Sequence, residues 1–268
     1  MAASYDVIVI GAGAAGLLAA SRAAERGRRT LLLEKNRKAG VKVLMSGGTR
    51  CNLTHATDAR GIVEAFGSAG RFLHSALAAL SPDALVAMFN AEGVATKIEA
   101  TGKVFPVSDR ALDVLLALQR MLQRSGAELR LGEAAVSVAK HDGGESSFVV
   151  HTASAAYRSD KLIITVGGQS YPGCGTRGDG YAWAKSLGHA IVPPRPALVP
   201  LTSPQRWVHD LRGVAVPDVA VEIRRPEIAS GPAIKPAMAS PDERRHTRGA
   251  FLFTHFGLSG PAPMDVSR

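Results

Sequence analysis

Residues 5–35, YDVIVIGAGAAGLLAASRAAERGRRTLLLEK, decide the fold class of this chain. Within them, Val7–Ile10 is a short continuous apolar run, which is the pattern of a strand buried on both faces of a parallel sheet. A glycine-rich turn follows, and the Ala-rich run Leu17–Arg26 predicts a helix that ends at Gly27. Thr30–Leu33 then predicts a second buried strand. The stretch therefore predicts a complete βαβ unit of an α/β protein.

The turn and the acid after the second strand predict a dinucleotide site. Gly11 allows a tight turn, Gly13 lets the backbone approach a pyrophosphate, and Gly16 lets the helix pack closely on the strand. The phosphates then lie at the helix N-terminus. Glu34 would accept hydrogen bonds from both ribose hydroxyls and repel the 2′-phosphate of NADP, so FAD or NAD is the expected ligand. An ordinary strand-to-helix turn would explain the glycines but not the acid at this spacing.

Length and composition indicate an ordinary globular protein. The chain has 268 residues, 46% hydrophobic and 21% charged, enough for one large domain or two smaller ones. The apolar stretch Val7–Ala20 does not resemble a signal peptide, because no basic segment precedes it and Asp6 abuts it. No other stretch approaches the roughly 20 apolar residues that span a bilayer. We therefore expect a cytoplasmic protein that does not interact with membranes.

The two cysteines, Cys51 and Cys174, lie far apart in the sequence and form no Cys-x-x-Cys motif. Neither a disulfide framework nor a zinc site is indicated. We expect two reduced thiols in small buried niches and no metal site.

The formal net charge of +9 raises the question of a nucleic-acid partner. Residues 1–60 carry ten Lys and Arg against four Asp and Glu, so most of the excess lies there. Several of these cations follow the ribose acid, where they could neutralise a pyrophosphate: Lys35, Arg37, Lys38, Lys42 and Arg50. Aromatic residues make up only 5%, and no basic patch is interleaved with stacking rings. This distribution argues against nucleic acid as a partner.

Asn36–His55 lacks a steady period over some twenty residues and is rich in Gly, Ser and Asn, which favours a functional loop over a plain surface loop. Its central part, Ser46–Asn52, offers backbone amides, hydroxyls and a guanidinium. These groups could hold a phosphate or the polar edge of a ring.

Helices and strands follow in turn. Ser81 predicts an N-cap for a helix to Glu92, and Ser108 predicts the cap of a longer helix that ends near Gly126. The longer helix has an apolar face of Leu112, Leu115, Leu118 and Leu122. The predicted strands and turns are Gly102–Pro106, Glu128–Leu131, Val136–Lys140, the turn Asp142–Gly144, Phe148–Thr152 and Lys161–Val166. Gly167 and Gly168 would let a ligand pass over the last strand end.

Gly173–Gly178 repeats the Gly-x-Gly-x-x-Gly spacing and could mark a second, nicotinamide-binding unit. Pro172 and five further residues separate it from the predicted strand end at Val166, and the next strand-like run, His189–Val192, leads into prolines without a ribose acid. We therefore expect only a loop that leads into a helix over Asp179–Leu187.

From residue 193 the composition becomes Pro-rich with short β-like runs, which predicts a domain boundary: an FAD-binding domain at 1–192 and a β-rich second domain at 193–268. The strand-like runs are Leu198–Leu201, Val214–Arg224 and Gly249–Phe253. The polar segment 226–248 predicts a mobile insertion.

Several motifs together carry a family resemblance: SGGTRCNLTH, TGKVFPVS, TVGGQSYPGCGTRGDGYAWAKSLGH, PALVPL and FLFTHFGLSGPA. In order and spacing they resemble the bacterial NAD(P)/FAD-dependent oxidoreductases of the bile-acid-inducible N-type, also labelled aminoacetone oxidase-like. The resemblance covers nearly the whole chain. It implies a Rossmann-type FAD-binding domain of the glutathione-reductase kind with an inserted β-rich domain, and FAD as the cofactor.

The resemblance also implies which residues contact the cofactor. They are Gly11, Gly13, Ala15, Gly16, Glu34, Ser46, Gly47, Gly48, Arg50, Cys51, Asn52 and Val136. The glycine turn, the cations after Glu34 and the glycines after the last strand add Ala14, Lys35, Lys42, Gly167 and Gly168 to the predicted cofactor-binding residues. Val136 falls on a strand position that resembles the adenine contact of related flavoproteins. Thr49 and His55 depart from the family pattern, which has Gly and Asn there.

The expected function is an FAD-dependent oxidoreductase that passes hydride from a reduced nicotinamide, NAD(P)H, through FAD to a small organic substrate. The alternative is a non-catalytic flavin- or nucleotide-binding module, with RNA as its partner. Tyr171 and His255 are the candidate proton donors, because both lie in Gly- and Pro-rich loops. Similar proteins continue beyond FTHFGLSGPA, so we expect an incomplete β-rich domain in which Phe251, Leu252 and Phe253 lack packing partners.

Overall fold

The computed structural model describes residues 3–140, 147–223 and 246–267. The chain divides into two units, Met1–Ile191 and Val192–Arg268, beside the boundary expected from composition. The predicted turn Asp142–Gly144 and the predicted insertion up to residue 245 lie outside the described residues, whereas residues 246–248 belong to a strand.

The first unit contains both strands and helices, with an alternating β-α-β order at its start. Its strands are β1 (Ala3–Ile10), β2 (Thr30–Glu34), β3 (Thr54–His55), β4 (Thr96–Ile98), β5 (Lys103–Pro106), β6 (Glu128–Leu131), β7 (Ala135–Lys140), β8 (Phe148–Thr152) and β9 (Ala156–Ile164). Its α-helices are α1 (Ala14–Glu25), α2 (Val41–Met45), α3 (Ala59–Ala65), α4 (His74–Ala79), α5 (Pro82–Ala91), α6 (Ala111–Ser125) and α7 (Asp179–Ser186). Short 3-10 helices cover Gly67–Leu73 and Pro172–Cys174.

A six-stranded sheet in the order β6-β2-β1-β9-β8-β7 forms the centre of this unit. The strands β6, β2, β1 and β9 run parallel, with Val9 opposite both Leu32 and Ile163. β8 pairs antiparallel with both β9 and β7. Val9 and Leu32 belong to the core that includes α1 and α6, and Ile8 and Leu31 belong to the core on the other face. All four are fully buried, as expected for strands covered on both faces.

The βαβ unit has the predicted order, although β1 begins at Ala3 and α1 already begins at Ala14, directly after the glycine turn. The last parallel strand, β9, ends at Ile164 rather than at Val166 as predicted. Thr165 therefore lies at the start of a loop, where it can contact the glycine turn.

The segment Asn36–His55 is more regular than predicted, because it contains α2 and β3. β3 pairs with β5, and β5 pairs with β4, to give a small antiparallel sheet. Ser81 caps α5 as predicted, accepting the N–H of Ala84 at 3.1 Å. Ser108 does not cap α6: that helix begins after Arg110, without a side-chain cap.

The apolar face of α6 is formed by Val114, Leu115, Leu118, Met121 and Leu122 together with two alanines. Leu112 was expected on this face, but its side chain is 40% exposed. Gly126 ends the helix in the left-handed conformation, as predicted from its position.

The second unit contains β10 (Leu201–Thr202), α8 (Arg206–Asp210), β11 (Ala215–Glu222), β12 (His246–Phe253), β13 (Gly257–Ser259) and α9 (Pro261–Asp265). Its strands form an antiparallel sheet in the order β10-β13-β12-β11. The strand predicted at Leu198–Leu201 is only β10, and His189–Val192, at the junction of the two units, forms no strand.

Phe251 and Phe253 of β12 have aromatic neighbours inside the second unit, contrary to the prediction, whereas Leu252 is 36% exposed. The rings of Phe251 and Phe253 lie 5.0 Å apart, and the ring of Trp207 lies 6.2 Å from that of Phe253. Aromatic pairs at these distances stabilise a sheet face.

Over the described residues, no single helix has the length and apolar character needed to cross a membrane. The helical segments Gly67–Ala79 and Pro82–Ala91, which are bent by 41° relative to each other, reach that length and composition only when they are taken together.

Candidate functional site

A cavity of about 400 Å³ opens at the carboxyl ends of β1, β2 and β9. β1 has β2 on one side and β9 on the other, so the crevice lies where the strand order reverses, the usual ligand position in open α/β sheets. The residues that line it are Ile10–Ala15, Leu33–Asn36, Gly40–Val43, Ser46, Cys51, Asn52, Glu133, Ala135, Thr165–Gly167, Cys174–Thr176, Asp179 and Trp183.

The glycine turn forms the floor of this cavity. Gly11 has φ +99°, and a Cβ there would lie 2.7 Å from the carbonyl oxygen of Thr165. A Cβ on Gly16 would lie 1.8 Å from the carbonyl oxygen of Gly11. The Thr165 hydroxyl donates to the carbonyls of Ile10 at 2.8 Å and Gly11 at 2.9 Å, which holds the turn against the loop after β9. The roles predicted for Gly11 and Gly16 match this geometry.

The N-terminus of α1 faces the cavity without a side-chain cap. Gly13 precedes the helix in extended conformation, and a Cβ on it would meet no atom within 4 Å. Gly13, Ala14 and Ala15 all line the cavity, so a phosphate can approach the free amides of the first helical turn.

Glu34 lies at the end of β2 with only 8% exposure. Its Oε2 accepts the backbone N–H of Ala12 at 2.7 Å, and its Oε1 accepts that of Asn36 at 2.8 Å. A carboxylate offers about four acceptor positions, so two remain for ribose hydroxyls. Glu34 thus fixes the glycine turn, a role that the sequence did not indicate and that adds to its predicted role at the ribose.

The loop after α2 has an unusual backbone. Gly47, Gly48, Thr49 and Cys51 all have positive φ, and two of these residues are not glycine. Cys51 N–H donates to the carbonyl of Ser46 at 3.0 Å, which closes the loop. Of the residues predicted here, Ser46, Cys51 and Asn52 line the cavity, and Gly47, Gly48 and Arg50 do not.

Arg50 is held by acidic groups of the loops around β5. Its Nη1 lies 2.5 Å from Glu99 and 3.4 Å from Asp109, and its guanidinium stacks 4.0 Å above the ring of Phe105. Hydrogen bonding from Lys97, and then the charge of Arg50, lowers the pKa of Asp109. Arg50 therefore anchors the loop from outside the cavity.

The two cysteines occupy different environments. Cys51 is buried, and its burial raises the pKa of the thiol against an opposing hydrogen bond with Ser46, so the thiol is neutral at pH 7. Cys174 is only partly buried, which corrects the prediction of two buried niches, and its Sγ lies 3.0 Å from Sδ of Met45. Both cysteines line the cavity.

The second glycine-rich loop forms one wall of the same cavity. Cys174, Gly175 and Thr176 line it, so this loop is more than the plain connection expected. It leads into α7, and among the described strands none after α7 joins the six-stranded sheet, so the loop belongs to no second βαβ unit there, as predicted.

Two lysines that were expected to neutralise a pyrophosphate hold this loop. Lys35 Nζ lies 2.8 Å from Asp179, and Lys42 Nζ donates to the Ser170 carbonyl and the Thr176 hydroxyl, each at 2.8 Å. Both lysines also line the cavity.

The remaining predicted residues lie elsewhere. Val136 is 62% exposed and outside the cavity lining, while its neighbour Ala135 lines it, at an irregular point in the pairing of β7 with β8. Gly167 lines the cavity and Gly168 does not. Tyr171 is exposed outside the lining, with φ +63°, and His255 is exposed in the second unit against the ring of Phe256.

Sequence reasoning missed Asn36, next to Lys35, and the residues that reach the cavity from distant segments: Glu133, Ala135, Thr165, Val166, Cys174, Gly175, Thr176, Asp179 and Trp183. Only the strand end before Gly167 gave a signal for this wall. Within the described ranges no group of three or more His, Cys, Asp or Glu side chains is placed to hold a metal ion.

Comparison with known proteins agrees with this geometry. The family described as "HI0933-like protein Rossmann domain" matches residues 5–257, and the chain belongs to that family. Its fold is the Rossmann-type FAD-binding α/β fold. The residues present fit FAD, because the turn leaves open space at Gly13, α1 has an uncapped N-terminus, and Glu34 keeps free acceptor positions. The cofactor of this site is FAD.

Curated relatives cover nearly the whole chain. It is 33% identical over 266 residues to a "Ribosomal RNA dihydrouridine synthase" of Escherichia coli (strain K12), covering 98% of this chain and 60% of that protein. It is 33% identical over 264 residues to a "3-dehydro-bile acid delta(4,6)-reductase" of Clostridium scindens, covering 97% and 59%. The chain thus spans about 60% of the length of these relatives.

The expected bile-acid-inducible resemblance therefore holds at the level of the HI0933-like family and not of the narrower group. Among solved structures, the open conformation of a flavocytochrome c3 fumarate reductase shares the fold with a TM-score of 0.54 and 18% identity, over 82% of this chain and 47% of that one.

Proposed function

We propose that this protein is the FAD-binding part of a reductase that takes hydride from NAD(P)H and delivers it to a carbon–carbon double bond conjugated with a carbonyl group. The supporting observation is the FAD cavity in a chain whose two 33%-identical relatives are named for reductions of this kind. Dihydrouridine is uridine with the ring double bond beside a carbonyl saturated, and a delta(4,6)-reductase saturates ring double bonds conjugated with a 3-oxo group.

The residues of this chain bind and orient the cofactor. FAD, when bound, supplies the hydride chemistry. The uncapped N-terminus of α1 receives the pyrophosphate, Glu34 receives the ribose, and the loop that carries Cys51 and Asn52 borders the cavity beside them. Cys51 is neutral because burial raises its pKa, so it does not act as a thiolate nucleophile.

The first experiment is the absorbance spectrum of the purified protein, with and without NADH or NADPH under anaerobic conditions. Flavin bands that bleach with either nicotinamide support the proposal. Flavin that stays oxidised with both nicotinamides would contradict the NAD(P)H step. Once the flavin has been reduced, its reoxidation by a steroid 4-en-3-one or by an unmodified uridine-containing RNA would identify the class of acceptor.

Tyr171 and His255 remain our proposed proton donors, although neither lines the cavity of the first unit. Tyr171→Phe and His255→Asn should each keep flavin reduction by the nicotinamide and slow reoxidation by the acceptor. Reoxidation at the unchanged rate in both variants would remove both residues from this role.

A second candidate function is RNA binding. RNA would be either the substrate of the reductase or the partner of a non-catalytic flavin-binding module. It is favoured by the "Ribosomal RNA dihydrouridine synthase" names of the relatives in Escherichia coli and, at 28% identity, Haemophilus influenzae, and by the net charge of +9. The low aromatic content argued against an RNA partner, and the names of these relatives now argue for one. Salt-sensitive RNA binding without flavin turnover would favour the module, and RNA-dependent reoxidation of the reduced flavin would favour the enzyme.

A further inference from the structure

The cavity has two ends, separated by Glu34. On one side the N–H of Ala12, in the glycine turn, donates to the Glu34 carboxylate at 2.7 Å. On the other side the N–H of Glu133 donates to the Glu34 carbonyl at 2.9 Å, and Glu133 and Ala135 line the cavity there. In a dinucleotide the ribose lies between the base and the pyrophosphate. With the pyrophosphate at the glycine turn and the ribose at Glu34, the adenine must occupy the end beside Ala135.

This end of the cavity offers apolar surface beside the charged side chains of Glu133 and Asp179. Ala135, Val166 and Trp183 line it, and all three also pack against the buried cluster on that face of the sheet. Trp183 lies on α7, which packs against β7. Among the described residues that line the cavity, Trp183 is the one with an aromatic ring. A partly buried indole at the edge of an open cavity offers an apolar surface of the size of a purine.

We propose that Trp183 forms one wall of the adenine subsite and contributes affinity for the adenosine half of FAD. The subsite takes adenine nucleotides as a class, since recognition at this end involves the base and ribose and not the flavin. The wall is held in place from two directions, because Lys35 pairs with Asp179 at the start of α7 and Trp183 packs toward β7. This inference rests on the FAD site and does not depend on the proposed reductase activity.

The chain offers a direct spectroscopic test, because it contains only two tryptophans, Trp183 and Trp207. Trp207 lies in the second unit, 58% exposed against Phe253, so Trp207→Phe keeps an aromatic ring there and leaves Trp183 as the only indole. This variant is titrated with AMP, with excitation at the red edge of indole absorption, where adenine does not absorb. Calorimetry measures AMP binding independently.

We expect AMP to change the Trp183 emission in a saturable way, with the dissociation constant that calorimetry gives, and inorganic pyrophosphate to leave the emission unchanged. Trp183→Ala should weaken AMP and FAD by about ten-fold each, since stacking of a base on an aromatic side chain has about this effect. Trp183→Phe should retain most of the affinity. Thermal unfolding of each variant without ligand reports any change in the stability of the core.

Three results would overturn the inference: AMP binding by calorimetry with no change in emission, FAD binding without any AMP binding, or equal weakening of pyrophosphate and AMP in Trp183→Ala. If Trp183→Ala does not fold, the emission titration decides, since it leaves Trp183 intact. A protein that binds AMP at Trp183 but is not reduced by nicotinamide would keep this inference and contradict only the proposed reductase.

Discussion

The chain contains two Gly-x-Gly-x-x-Gly sequences, at 11–16 and 173–178, which share one cavity but need their glycines for different reasons. In the first, space decides at the third glycine: a Cβ on Gly16 would lie 1.8 Å from the Gly11 carbonyl oxygen, whereas one on Gly13 would project into open space. Gly11 is required on both grounds, because it has φ +99° and a Cβ there would lie 2.7 Å from the Thr165 carbonyl oxygen. In the second, backbone conformation decides: Gly175 and Gly178 have φ of +88° and +83°.

The surroundings of the two sequences differ as well. The first leads directly from a buried strand into the twelve-residue helix α1, whose N-terminus has no side-chain cap. The second begins within a 3-10 turn, Pro172–Cys174, and is fixed by Lys35 and Lys42. Identical spacing thus gives a phosphate cradle only where close strand packing and a free helix N-terminus accompany it.

The largest expected effect is that of Gly16→Ala. The new methyl group would overlap the Gly11 carbonyl, so helix α1 must move away from β1, and we expect a loss of about 3 kcal/mol in the free energy of unfolding together with loss of FAD. Denaturant unfolding measures the first and bound flavin the second. The matched change Gly178→Ala, at the third glycine of the other sequence, should cost about 1–2 kcal/mol through its positive φ. Equal losses in both variants would contradict the distinction between space and conformation.

Glu34→Ala should have the next largest effect. It removes the acceptor for the ribose and leaves the buried N–H of Ala12 without its partner, so FAD binding should weaken by about 2–4 kcal/mol and the free protein should lose about 1–3 kcal/mol of stability. Flavin titration of the refolded apoprotein and its thermal unfolding are the measurements.

Glu128→Ala is the control for Glu34, because Glu128 lies on the neighbouring strand β6 outside the cavity lining and its carboxylate accepts from the Tyr5 hydroxyl at 2.7 Å instead of from the glycine turn. Its effect on FAD should stay within about 0.5 kcal/mol. An unchanged dissociation constant in Glu34→Ala would remove Glu34 from the ribose site.

Gly13→Ala and Gly175→Ala sharpen the comparison at the middle glycines. Gly13 has φ −76°, which alanine tolerates, so the free protein should keep its stability within about 0.5 kcal/mol while flavin is lost. Gly175→Ala should cost about 1 kcal/mol of stability and keep the flavin. Unfolding curves and flavin content decide. Equal flavin loss would contradict us, and loss of NADH reduction alone in Gly175→Ala would support a nicotinamide site at the second loop.

The βαβ unit and the part of the cavity formed by the glycine turn and Glu34 could be predicted, because their sequence signals are local. The apolar run at Val7–Ile10, the glycines and Glu34 lie within one continuous stretch, and each has one physical requirement. The second wall depends on β9 pairing with β1, which brings residues 165–183 to the glycine turn from more than 140 positions away. No periodicity in the sequence encodes that pairing.

Predictions from local sequence also failed where ion pairs between distant segments determine the local conformation. Ser108 has the right spacing to cap α6, but Asp109 adopts a positive φ and pairs with Lys97 and Arg50, so the helix begins only at Ala111. Arg50 was placed beside the cofactor by its motif, and the same ion pairs hold it outside the cavity. Such networks join segments that are far apart in the sequence, and residue types alone do not reveal them.

The smallest expected effect concerns a third kind of position, a left-handed backbone without glycine. Thr49 has φ +69°, is β-branched and exposed, and stands where the resemblance described above leads us to expect Gly. Its carbonyl accepts the N–H of Ala111, a bond that glycine would keep. Thr49→Gly relieves strain of about 1–2 kcal/mol in the folded state. Glycine also gives the unfolded chain more entropy, which destabilises the folded state by about 0.5–1 kcal/mol. The net result should be a stabilisation of about 0.5–1 kcal/mol. Thr101→Gly is the matched control, because Thr101 is also exposed but has no positive φ, and it should destabilise the protein slightly. Stabilisation in both variants, or in neither, by denaturant unfolding would show that φ alone does not create a requirement for glycine in this loop.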